Sequence, residues 1–132
     1  MKRLLLLTAV IEAGAGLALL GCPAAAAKLL LGSPLDTPVA LTVARVGGAG
    51  LFALGIACWL AKHDAQSRAA KGVVAAMTLY NLGAVVILGL AGIQLPPVGL
   101  ALWPAVVLHA VMTVWCVTAL LKQPTQVAEK PK

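Results

Sequence analysis

Apolar residues fall into four long runs separated by short polar or Pro-bearing breaks. The runs extend from Leu4 to Gly21, Val39 to Ala61, Gly72 to Ile93 and Leu100 to Leu121. Each is close to the roughly 20 residues that a helix needs to cross about 30 Å of hydrocarbon. The pattern predicts an all-α chain, an integral membrane four-helix bundle, with residues 1–121 as one four-span domain and 122–132 as a flexible cytoplasmic tail.

The breaks carry local instructions. Cys22-Pro23 interrupts the first run, and Ala24 to Gly32, holding Lys28, either continues the helix past a kink or lies at the interface with Lys28 reaching outward. Ser33-Pro34-Leu35-Asp36-Thr37-Pro38 is a turn in which Asp36 or Thr37 can cap the next helix. Lys62 to Lys71 is the one long hydrophilic stretch inside the chain, and Gln94-Leu95-Pro96-Pro97-Val98-Gly99 is an uncharged turn.

Composition agrees with lipid as the solvent. The 132 residues are 61% hydrophobic and 11% charged, with a mean hydropathy of +1.00. Soluble domains carry about 25% charged residues, so this chain cannot cover itself with polar groups. The net charge of +6 sits between or beyond the apolar runs, at Lys2, Arg3, Lys62, Arg68, Lys71, Lys122, Lys130 and Lys132. That placement marks the cytoplasmic side of a membrane and needs no nucleic acid. It gives an N-in/C-in arrangement of bacterial inner-membrane type. Trp59 and Trp103 lie near span ends, at headgroup level, whereas Trp115 lies deeper and is expected to pack against another helix.

The N-terminus has a second reading. A basic start, an apolar stretch and Leu19-Leu20-Gly21-Cys22 resemble a bacterial lipoprotein signal that would be cut before Cys22. Glu12, in the middle of what would be its uncharged region, argues against cleavage. Cys22, Cys58 and Cys116 form no close metal or redox spacing and read as structural.

Each span carries one strongly polar residue: Glu12, Arg45, Asn81 and His109. At 1.5 Å per residue, Glu12 lies about 12 Å and Asn81 about 13 Å from the inner end of its run, and His109 about 18 Å and Arg45 about 24 Å. Such groups cost roughly 2.5–3.5 kcal/mol at mid-membrane and normally face protein or water. Thr8, Thr42, Thr78 and Thr113 stand three or four residues from them, on the same helix face. Four inward stripes are therefore expected, with Glu12–Arg45 as a charge pair and close packing through small residues such as Gly16, Gly48 and Gly55. The set reads equally as a structural network or as a binding or proton-handling site. Glu12-Ala-Gly14 and Asn81-Leu-Gly83 form a faint internal echo, as two parallel hairpins would.

No phosphate loop, nucleophile elbow or metalloprotease signature is present, so no enzyme, cofactor or metal is expected. Ile11-Glu12-Ala-Gly, the stretch from Arg45-Val-Gly-Gly to Cys-Trp-Leu-Ala61, and Leu102-Trp-Pro-Ala-Val-Val-Leu-His109 together resemble small, uncharacterised four-span bacterial inner-membrane proteins. That resemblance implies fold and location and no activity. The small multidrug resistance transporters share the size, the four helices and a first-helix glutamate. The chain departs from them because Arg45 is placed to quench Glu12 and only Trp115 lies deep enough to cradle a lipophilic cation. The expectation is an accessory subunit of a membrane assembly, or a homo-oligomer in the bilayer. The alternative is a small oligomeric transporter or channel with a polar path past Glu12, Asn81 and His109.

Overall fold

A computed structural model describes residues 1–95 and 97–122. Pro96 of the last turn and residues 123–132 of the expected tail lie outside the described residues. Among the described residues there is no strand. The helices are α1 Lys2–Gly21, α2 Pro23–Leu31, α3 Pro38–Ala61, α4 Arg68–Gln94 and α5 Leu102–Leu121, with a 3-10 turn at Lys62–Asp64. Four of them, α1 and α3 to α5, are long and apolar enough to cross a membrane.

Helix ends follow side-chain chemistry. The Thr37 hydroxyl accepts from Ala40 N–H at 3.2 Å and starts α3, with Pro38 at its first position. Ser67 caps α4 by accepting from Ala70 N–H at 3.0 Å, so this helix begins at Arg68 rather than at Gly72. The polar residues before Gly72 thus form its first turn. At Cys22 the backbone leaves the helical region (φ −133°, ψ 57°), so α2 is a separate helix and not a continuation of α1.

Gly32 ends α2 with a left-handed φ of 84°, a conformation open to glycine at little cost. The α4–α5 connector folds against α2, where Ala101 N–H donates to the Leu29 carbonyl at 3.0 Å. Gly99 passes so close to that carbonyl that a side chain would collide with it. This contact, with Leu102 N–H bonded to the Gly99 carbonyl, keeps residues 100 and 101 out of α5.

The long helices associate as two antiparallel pairs, α1 with α3 and α4 with α5. Glycines set the spacing of the first pair. A Cβ on Gly16 would lie 2.5 Å from Phe52 N, and one on Gly48 would lie 2.8 Å from the Gly16 carbonyl oxygen. One on Gly55 would lie 2.7 Å from Ala13 N. The backbones therefore touch, which is how helices gain packing energy where burial from water offers little. The pairs join at the end carrying Met1 and the Lys62–Arg68 connector, the basic end. There Leu4, Leu5 and Ala9 of α1 meet Cys58 of α3, Val74 and Met77 of α4, and Met112 and Cys116 of α5. Outward faces are largely apolar, with Val39, Leu79, Ile87 and Val114 among the exposed residues.

Packing of α1 on α3 makes a direct prediction. Gly16→Ala forces a backbone shift and should lower unfolding stability in detergent by about 1–3 kcal/mol. Gly14 has open space around it, so Gly14→Ala should be neutral or slightly stabilising. Thermal unfolding of both variants checks this, and equal stability would contradict the close approach.

Candidate functional site: a polar seam between two helical pairs

Three of the four expected polar stripes face inward. Glu12 and Thr8 on α1 are each 2% exposed, and Asn81 on α4 is 1% exposed. Thr78, His109 and Thr113 are half-buried. Thr78 and Thr113 return their hydroxyl protons to the carbonyls of Val74 (2.9 Å) and His109 (2.8 Å), four residues back, so neither presents an unpaired donor.

The α3 stripe is different. Arg45 and Thr42 are exposed, and Thr42 donates to the Pro38 carbonyl at 2.8 Å. The expected Glu12–Arg45 charge pair does not form: Arg45 has no ion pair among the described residues. The reason is steric. Backbone contact with α1 needs the Gly48 and Gly55 face of α3. Arg45 lies three residues from Gly48, about 60° round the helix, which moves it off that face. Trp115 is also exposed, at 39%, because Met112 and Cys116 occupy the inward face of α5.

The partner of Glu12 is Tyr80, on α4. Its hydroxyl donates to the Glu12 carboxylate, joining the two helical pairs. The Tyr80 ring also meets His109 of α5 edge to face, with centroids 5.6 Å apart at 82°. His109 Nδ1 lies 2.7 Å from Asn81 Oδ1. The Asn81 amide nitrogen is spent on the Met77 carbonyl at 2.7 Å, so its oxygen faces the imidazole. Nδ1 is therefore the protonated nitrogen in neutral His109, and Nε2 keeps the lone pair.

Tyr80 was not anticipated from sequence. It precedes Asn81 by one residue, which puts it about 100° away on a helix wheel and outside the three-or-four spacing rule. One cue existed: it is the single tyrosine of the chain, in mid-run, and a buried tyrosine hydroxyl needs a partner.

Every fully buried side-chain nitrogen and oxygen among the described residues has a hydrogen-bond partner. No group of three or more His, Cys, Asp and Glu gathers there to hold a metal. Two shallow grooves lie on the outer surface. One is lined by Pro38, Val39, Thr42 and Val43, and the other runs between α1 and α3 past Ala13, Gly55 and Trp59. The Lys62 ammonium sits 2.8 Å above the Trp59 ring centroid, a cation–π contact at the basic end. Comparison with protein-family models, curated proteins and solved structures returns no match.

Two outcomes follow for the Asn81–His109 pair. Asn81→Leu removes the acceptor of a half-buried imidazole N–H and should cost about 1–2 kcal/mol of stability. Nitrogen NMR of His-labelled protein should show neutral His109 protonated on Nδ1. Protonation on Nε2 alone would contradict the assigned pairing.

Proposed function

We propose that this chain is a four-span integral protein of a bacterial inner membrane, with both ends cytoplasmic, serving as an accessory subunit of a larger membrane assembly. Four sufficiently long apolar helices support the spans. The basic residues support the orientation, since Lys2, Arg3, Lys62, Arg68, Lys71 and Lys122 all lie at or beyond one end of the helices.

The observation that carries the subunit reading is Arg45. It lies on an exposed side of α3, seven residues from Pro38, with Val43 (65% exposed), Val46 (69%), Gly47 and Gly50 also exposed on the outward surface. A guanidinium in apolar surroundings is costly unless it meets a carboxylate, a carbonyl or the interface. The interior is satisfied without it. A partner helix carrying an acidic residue at that depth is the occupant that fits. A photo-crosslinker placed at Val46 in intact membranes should capture a discrete protein partner, and Arg45→Leu should reduce that product by more than half. Capture of lipid alone would remove the subunit reading.

The second reading is a small transporter or channel, probed with reconstituted protein. It draws on one observation: Glu12, Tyr80, His109 and Asn81 follow one another across α1, α4 and α5 in mid-helix. Glu12→Gln that abolishes pH-driven solute flux in liposomes, with folded yield unchanged, would favour it over the subunit. Absence of flux in wild type would dismiss it.

A further inference from the structure

The groove between α1 and α3 opens on the outward face of that pair. Its floor is Ala9 and Ala13 of α1 with Gly55 of α3, and its walls are Val10, Ile56 and Trp59, which are 60%, 43% and 46% exposed. Packing of the pair explains the shape. Where Gly55 lets the backbones touch, only small side chains lie between the helices, and the larger ones on either side stand up as rims. The groove measures about 190 Å³, and every side chain on it is apolar. Sites that enclose compact ligands run from roughly 300 to 1,000 Å³ and carry converging polar groups. A small, open, apolar furrow suits a stretch of hydrocarbon chain instead.

Helical spacing brings charge to one end of this furrow. Ala9 and Ala13 follow Lys2 by seven and eleven residues, which puts all three on one face of α1. On α3, Gly55 and Trp59 precede Lys62 by seven and three residues, and the backbone at Lys62 is still helical (φ −64°, ψ −23°), so these too share a face. The Lys62–Asp64 turn packs against α1, and Met1, Ala61 and Ala65 rest on one core cluster. Both lysines therefore stand at the mouth of the groove. The Lys62 ammonium is held 2.8 Å above the centroid of the exposed Trp59 ring, which joins the cation to the groove wall. Lys2, Arg3, Lys62, Arg68 and Lys71 crowd this end, and among its described residues Asp64 is the one acid beyond the spans.

We propose that the α1–α3 groove binds an anionic phospholipid of the cytoplasmic leaflet, with part of an acyl chain on Ala9, Ala13 and Gly55 and the phosphate against Lys62 and Lys2. The leaflet follows from the orientation proposed above, on which this site rests. Trp59 lies one helical turn below Lys62, about 4.5 Å, so phosphate, indole and apolar floor succeed one another as headgroup and chain do. Charge selects the lipid. A zwitterionic headgroup brings its own cation to the lysines, whereas an anionic one brings none. A second copy of the chain in the same orientation would bring like charges together at the same depth.

Two single-tryptophan chains test the site, one keeping Trp59 (Trp103→Phe, Trp115→Phe) and one keeping Trp103 at the opposite end (Trp59→Phe, Trp115→Phe). Each is reconstituted in phosphatidylcholine vesicles containing chain-brominated phosphatidylglycerol or chain-brominated phosphatidylcholine, and quenching is followed as the brominated fraction rises. Trp59 should be half-quenched at an about fivefold lower fraction of phosphatidylglycerol than of phosphatidylcholine. Lys2→Gln with Lys62→Gln should abolish that preference. Arg68→Gln with Lys71→Gln removes the same charge from α4, away from the groove, and should leave the preference in place; equal loss in both pairs would mean diffuse attraction and overturn the site. If Trp103 is quenched but Trp59 responds equally to the two lipids, the lipid site fails and the membrane reading stands. If neither lipid quenches Trp103, the membrane reading fails and takes the site with it. Trp59 shielded from both lipids beside a quenched Trp103 would mean that protein covers the groove, which also overturns the proposal.

Discussion

The structure depends on a constraint that apolar helices impose on their few polar side chains. A carboxyl, an amide and an imidazole in mid-helix must be satisfied by other side chains or the backbone, because nothing on the surrounding apolar surface can do so. Glu12 finds Tyr80, and Asn81 finds His109 and the Met77 carbonyl. Because the first bond crosses from α1 to α4, it also specifies which faces of the two helical pairs meet. The second, between α4 and α5, sets the register within its pair. Polar satisfaction and helix arrangement are one problem here.

Glycine packing sets the boundary conditions of that solution. Close backbone contact at Gly16, Gly48 and Gly55 leaves α3 one rotational setting against α1, and that setting turns Arg45 outward. An outward arginine and a self-sufficient interior then belong together. The same setting places Cys58 in the core shared by α1, α4 and α5.

Much of this was legible in sequence and some was not, for definable reasons. The long helices follow from uninterrupted apolar runs, and their ends from Thr37 and Pro38, all local signals. The inward faces of α1, α4 and α5 follow from the three-or-four spacing of Glu12 with Thr8, Asn81 with Thr78, and His109 with Thr113. On α3 the same rule put Thr42, Arg45 and Gly48 on one inward face, but Thr42 and Gly48 lie on opposite sides of Arg45 and only Gly48 is buried. Spacing within one helix cannot say which edge a neighbour will cover. Only the helix–helix distance, set by Gly16 of α1 with Gly48 and Gly55 of α3, decides it. The role of Tyr80 was out of reach because it lies in contacts between helices remote in sequence.

The central claim is that Glu12 is held by Tyr80 and not by Arg45. A double-mutant cycle on unfolding stability in detergent, pairing Glu12→Gln first with Tyr80→Phe and then with Arg45→Gln, tests it directly. The account predicts a coupling of about 0.5–1.7 kcal/mol for Glu12 with Tyr80 and none beyond error for Glu12 with Arg45. The reverse pattern, additivity with Tyr80 and coupling with Arg45, would contradict it.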